Sequence, residues 1–239
     1  MNYYERTELS NSKIKLINRS YREFLGAGGK VTPAMVEGNA FHTYMLEPEE
    51  FDRRYVFKPE GLSFATKDGK LWRSAQLENG LQIIDADCKD KFFYMKRNLM
   101  EHRLSHLLLG DNEVEKEIYF NFNGVDCKAK LDLINHSNKI IFDYKTIEDC
   151  QNAEKTCRFE YGQQAYFYQQ AVFAEYKEYY DFIFIFCEKK FPNECKFIRL
   201  SNESLEYGID KIHSGIERYK YLIENPECFK GYADDIIIV

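Results

Sequence analysis

The chain has 239 residues, with 44% hydrophobic and 16% aromatic residues, which is enough for a real core and excludes a disordered chain. A net charge of -6 and a pI near 5.5 argue against a protein that coats nucleic acid non-specifically. They leave room for an enzyme whose acidic, metal-filled site lies beside a local basic track.

The opening "MNYYERTELS" has neither a basic nor an apolar leader region, and the longest apolar run, "FIFIFC", is far short of a membrane span. Seven cysteines without a CxxC pair fit a reduced, cytoplasmic protein and argue against a cysteine-ligated zinc or iron–sulfur cluster. No linker, repeat or low-complexity segment interrupts the chain, so residues 1–239 read as one domain. It has a mainly helical part over 1–110, a strand-rich core over 111–200, and a helix with a tail over 201–239.

"SNSKIKLINRSYREFLGAGG" predicts a helix: Ser10 and Ser12 are cap-type residues, Ile14, Ile17, Tyr21 and Leu25 follow at helical spacing, and glycines end it. Thr32 and Pro33 open a second helix, "TPAMVEGNAFHTYML". Residues 86–109 predict a longer one, with Cys88, Phe92, Met95 and Leu99 on one face. The period then changes to two. In "VDCKAKLDLI", Val125, Cys127, Ala129, Leu131 and Leu133 alternate with polar residues, the pattern of a strand with one buried face. The strand "VEKEIYFNF" pairs with it across the strong turn signal Asn123-Gly124. "KIIFDYK" follows, then the helix "RFEYGQQAYFYQQAVFAEY", the strands "DFIFIFC" and "CKFIRL", and a final helix over about 203–224. This order predicts an α/β fold with a mixed central sheet flanked by helices and preceded by an N-terminal helical region.

Asp132 lies on the polar face of its strand, and Asp143 and Lys145, two apart, share a face of theirs. Glu115 and Glu117 share a face of the preceding strand. If these strands are neighbours, several carboxylates converge on one patch, which is stable when protonated or when a cation sits among them. Hard oxygen donors favour Mg²⁺ or Mn²⁺, and a lysine beside such an ion suits phosphoryl chemistry. The alternative is a surface strand pair with ordinary ion pairs. Spacing alone leaves both readings open.

The order of elements adds a resemblance. "KAKLDLI", "IIFDYKT" and "YGQQAYFYQQA" resemble the PD-(D/E)XK nuclease superfamily, in its RecB-type and RecE-like branch. The marks of that branch are an Asp, an Asp-x-Lys and a Gln-x-x-x-Tyr, here Asp132, Asp143-Tyr144-Lys145 and Gln164 to Tyr168. Gly38 to His42 is similar to its upstream Gly-x-x-x-His, and "EGNAFHTYMLEPEEFDRRYVF", "FATKDGKLW" and "LSNSKIKLINRSYREF" resemble the phage-type exonucleases.

The resemblance implies a restriction-endonuclease-like core and an Mg²⁺-dependent exonuclease that digests double-stranded DNA ends 5′-to-3′ for recombination. It also implies a ring-shaped homo-oligomer and a single-strand annealing partner. By the same resemblance Asp132 and Asp143 ligate the metal with the Tyr144 carbonyl, and Lys145 positions the attacking water. His42 ligates the metal or touches the scissile phosphate, and Gln164 and Tyr168 brace the site or contact DNA. Glu117 is the better match for the site glutamate, with Glu115 of the same parity. Arg53, Arg54, Lys89, Lys91, Lys96 and Arg97 are the candidate DNA track. The rival readings are a single-strand-specific or endonucleolytic relative, and a DNA-end-binding protein without catalysis.

Two other signals are set aside. "GAGGKVT" is similar to a phosphate-binding loop but lacks its first glycine and follows a helix instead of a strand. His102 and His106 are spaced to clasp a metal, yet "HRLSH" lacks a catalytic glutamate and reads as a helix face. The terminal "DDIIIV" reads equally as a strand or a docking tail.

Overall fold

The computed structural model describes residues 3–26 and 32–226; most of "GAGGKVT" and all of "DDIIIV" lie outside them. The elements in chain order are α1 (Asn11–Arg19), α2 (Tyr21–Leu25), α3 (Pro33–Leu46), α4 (Pro48–Arg54), β1 (Tyr55–Phe57), α5 (Lys67–Glu78), β2 (Gln82–Ile84) and α6 (Asp87–Glu101). After these come β3 (Asn112–Phe122), β4 (Val125–Asn135), β5 (Ile140–Ile147), α7 (Ala153–Glu160), α8 (Gly162–Tyr176), β6 (Asp181–Glu188), β7 (Cys195–Arg199) and α9 (Asn202–Glu224).

Strands β3 to β7 form one mixed sheet in chain order. β3, β4 and β5 are antiparallel neighbours, β5 and β6 are parallel through the α7–α8 crossover, and β7 returns antiparallel. The β3–β4 turn has φ of 50° at Asn123 and 83° at Gly124, the two left-handed residues that a tight hairpin turn needs. Helices cover both faces of the sheet. Ile14, Ala129, Phe167, Phe184 and Ile212 share a core on the side of α1, α8 and α9. Phe41, Phe92, Met95, Phe142 and Ile185 share a core on the side of α3 and α6. "FIFIFC" is apolar throughout because its alternate residues enter both cores.

The mixed sheet flanked by helices is as expected, and several boundaries differ. The first predicted helix is two helices, because Ser20 is extended at φ −166°, ψ 130°. The helix predicted over residues 86–109 ends at Glu101 and gives way to a 3₁₀ turn, Ser105–Leu108. The helix around "EYGQQ" breaks between Glu160 and Gly162. There α8 meets α9 so closely that a methyl group on Gly162 would collide with the Ser204 carbonyl and one on Gly208 with the Gly162 backbone. Residues 48–84 form a small lobe absent from the periodicity reading: α4 and α5 with the parallel pair β1–β2. Strands of three residues leave too short a pattern to show a period.

The feature that positions the site is a fork in the sheet. β4 and β5 pair through Asn135↔Ile140, Ile134↔Ile141 and Leu133↔Phe142, and then part. β4 continues against β3 and β5 continues against β6. The edge that β4 thereby exposes is closed by the N-terminal segment: Leu9 donates to the Asp126 carbonyl and accepts from the Lys128 N–H, each at 3.0 Å.

Candidate active site

Asp132 and Asp143 are the first residues beyond the last β4–β5 pair, so they stand at the mouth of the fork. Their strands can no longer satisfy each other's backbone there, and side chains take over. The Asp132 Oδ2 accepts the Tyr144 N–H at 2.7 Å and lies 3.3 Å from Nδ1 of His42, presented by α3. Asp143 is 2% exposed; its Oδ1 accepts from Gln164 of α8 at 2.5 Å. Its Oδ2 lies against the Lys145 ammonium but is buried with no hydrogen bond of its own. The Tyr144 side chain is buried in the α3–α6 core, which leaves its backbone to face the fork.

Glu115 completes the group. The hairpin register pairs Val114 with Leu133 and Lys116 with Leu131, which sets Glu115 opposite Asp132. Glu115 has φ 50°, a left-handed backbone uncommon for glutamate and worth a functional look. Its Oε2 is 2.5 Å from Nζ of Lys130. One ligand atom each from His42, Glu115 and Asp132 lies within 4.8 Å of the others.

Glu117, favoured from the sequence, is outside this group. Its register partner is Lys130, two residues from Asp132, and its carboxylate accepts the Tyr119 hydroxyl at 2.7 Å. Counting residues back from the Asn123-Gly124 turn identifies Glu115, so the signal was present in the hairpin.

The charges oppose one another. Burial disfavours a charge on His42, but Asp132 outweighs it and raises the imidazole above its ordinary value. Burial also works against Asp132, yet His42, Lys145 and the Tyr144 N–H hold that carboxyl below the usual range. At Asp143 burial dominates, and with the Asp132 charge it pushes the carboxyl up to about 6 in spite of Lys145. Glu115 is likewise raised by burial against the pull of Lys130.

His42, Glu115 and Asp132 open onto a cleft of about 420 Å³ whose lining also includes Asn11, Arg54 and Tyr168. Lys128 also lines it, with its ammonium on the carbonyls of Tyr3 and Arg6, so it anchors the N-terminal segment. Of the proposed basic track, Arg54 reaches the cleft. Arg53, Lys91 and Arg97 pair with Glu50, Glu37 and Glu101, and Lys96 sits over the Tyr44 ring. His102 stacks on Phe197 and His106 contacts the Arg103 carbonyl. Lys130 escaped the sequence reading, although its alternation with Lys128 and Asp132 puts it on the same strand face.

The donor set suits a hard divalent cation: one imidazole nitrogen and two carboxylate oxygens, half-buried and brought together by three separate elements. Asp143, whose Oδ2 lies against the Lys145 ammonium, adds a fourth candidate donor across the fork.

Residues 10–229 match the family described as the PDDEXK-like domain of unknown function (DUF3799), and the chain belongs to that family. No curated protein matches it. Among solved structures it is similar to a protein from Eubacterium rectale provisionally named an exonuclease, at 12% identity and TM-score 0.65. That match covers 96% of this chain and 85% of the other, and at that identity it shows the shared fold. A phage-related exonuclease from Haemophilus somnus 129PT aligns over 92% of this chain and 96% of its own, at 13% identity and TM-score 0.34. Among the described residues, no helix is long and apolar enough to cross a membrane.

Proposed function

We propose that this member of the PDDEXK-like family is a divalent-metal-dependent deoxyribonuclease, with Mg²⁺ as the working ion and Mn²⁺ as a substitute. The observation that carries this reading is the convergence at the strand fork. His42, Glu115 and Asp132 come together on one side, with Asp143 and Lys145 on the other. His42, Glu115 and Asp132 would hold the ion, with Asp143 as a further ligand. Bound there, a divalent cation supplies Lewis-acid polarisation of a phosphodiester and acidifies water.

The protein's own groups do the rest. Lys145 brings a fixed positive charge to the mouth of the fork, where it can hold the attacking water or a phosphate oxygen. Gln164 fixes the orientation of Asp143 through its amide. Tyr168, one helical turn further along α8, faces the cleft, where its hydroxyl can meet the DNA backbone.

The finer reading is an exonuclease that digests double-stranded ends 5′-to-3′ to leave single strands for recombination. A ring-shaped homo-oligomer and an annealing partner belong to the same reading. Its support is the resemblance of the Asp, Asp-x-Lys and Gln-x-x-x-Tyr order to RecE-like enzymes, together with the name of the Eubacterium rectale neighbour.

The test is to incubate the purified protein with linear duplex, covalently closed circle and single-stranded DNA, with Mg²⁺, Mn²⁺ or chelator. The expected result is metal-dependent loss of linear duplex with the closed circle intact. Efficient nicking of the circle overturns the exonuclease reading, and no cleavage with either ion overturns the nuclease reading.

A further inference from the structure

Behind the fork lies a second cationic feature that the site does not use. Lys15, on α1, places its ammonium 5.3 Å from the centroid of the Tyr161 ring. The Lys145 ammonium lies 5.5 Å from the same centroid. Two lysines from distant parts of the chain therefore share one aromatic ring. Lys145 is ion-paired to Asp143, whereas Lys15 has no ion pair and no hydrogen bond among the described residues.

The charged surroundings of Lys15 do not neutralise it. Lys145 and Lys211 repel it, while the acids that face it are Glu160, outside ion-pair distance, and Asp143, already held by Lys145 and Gln164. A half-buried ammonium without a partner is costly, and neighbouring like charges add to the cost. Burial followed by Lys145 accordingly lowers the Lys15 pKa. A structural lysine in such a place would be expected to own a carboxylate. This one has only a ring face, which attracts a cation weakly unless the site is dry.

The position adds direction. The first turn of α1 (Asn11, Ser12 and Lys13) lines the cleft that holds His42, Glu115 and Asp132. Lys15 follows on the same helix and faces Lys145 from beyond Tyr161. Lys15 and Lys145 thus put two ammonium groups side by side at one ring, next to the carboxylates of the fork.

We infer that Lys15 is a substrate-phosphate ligand that takes the phosphodiester adjacent to the one held at Lys145, on the strand being cut. The ligand class is a nucleic-acid backbone phosphate, bound as a point charge, with no reading of base sequence. This inference rests on the nuclease reading above.

The experiment compares wild type, Lys15→Met and Lys15→Arg in Mg²⁺-dependent cleavage of a linear duplex at several salt concentrations, with thermal melts of all three. Met keeps the apolar stem on Tyr161 and removes the charge; Arg keeps the charge. In Lys15→Met the expected result is a rise in KM of about tenfold, the loss of one charge-assisted contact, carried by KM more than by kcat. The slope of log KM against log salt should fall by about one in Lys15→Met and return in Lys15→Arg. Unchanged KM and salt slope in Lys15→Met overturn the inference while leaving the nuclease reading in place. So does a KM rise that Lys15→Arg fails to reverse, or one explained by a lowered melting temperature. A wild-type protein that cleaves no DNA removes the nuclease reading and this inference with it.

Discussion

Two carboxylates on strands that flank β4, Glu113 on β3 and Asp143 on β5, have opposite fates. Glu113 receives Lys116 at 2.5 Å, the Tyr176 hydroxyl at 2.5 Å and Nε2 of His136 at 2.8 Å. Partial burial works against its charge, but Lys116, Tyr176 and His136 outweigh burial and hold it down to about 2. Asp143 is more deeply buried, has one amide donor and one lysine, and is pushed up to about 6. The contrast separates an acid held by fixed donors from the acid proposed to serve the metal. Where three fixed donors hold both carboxylate oxygens, little is left for a ligand. Where the backbone parts and a buried carboxylate has only one amide and one lysine to hold it, the protein tolerates a cost that a bound cation would offset.

The largest break in this comparison would come from Asp143→Ala. Mg²⁺-dependent cleavage should fall by about a thousandfold or more, while circular dichroism and the melting transition show a folded protein. Retained cleavage would remove the distinction between the two acids.

A sharper test sits on one strand. Glu115→Gln should cost about ten- to a hundredfold in activity or in the Mg²⁺ concentration needed for it. Glu117→Gln should leave turnover at the wild-type level, because that carboxylate serves Tyr119. A Mg²⁺ titration of initial rates reads both variants. The reverse ranking would return the assignment to Glu117.

The smallest effect belongs to the structural acid. Glu113→Gln should lower stability in urea by about 1 kcal/mol and leave cleavage unchanged. The pH dependence has a definite sign. Glu113 has a folded pKa of about 2, below its ordinary 4.5, so its contribution is full above 4.5 and is lost as pH falls towards 2. Wild type should therefore lose more stability than Glu113→Gln across that window. Equal losses would show that the Glu113 cluster is not a source of stability.

Much of the sheet was legible because its signals are local. The period-two runs identified β3 and β4, and Asn123-Gly124 identified the turn between them. Counted back from the same turn, the register sets Glu115 and not Glu117 opposite Asp132, which parity alone could not show. The break at Tyr161 was hidden because it sits where α8 and α9 meet at Gly162 and Gly208, a contact between distant parts of the chain. The lobe over residues 48–84 was hidden because its strands are three residues long.

For the site, alternation and spacing nominated Asp132, Asp143 and Lys145, and the resemblance added His42, Gln164 and Tyr168. No local pattern announces that an α3 imidazole lies 3.3 Å from a β4 carboxylate, or that an α8 amide reaches β5.

By itself the amino-acid sequence determined the strands of the main sheet, the hairpin turn and which residues share a strand face, since each follows from backbone geometry within a few residues. Only the tertiary structure decided where β4 and β5 part. That depends on β6 holding β5, on β3 holding β4, and on Leu9 closing the edge left between them. The fork leaves Asp132 and Asp143 without their strand partners, and this turns two ordinary strand acids into a candidate metal site.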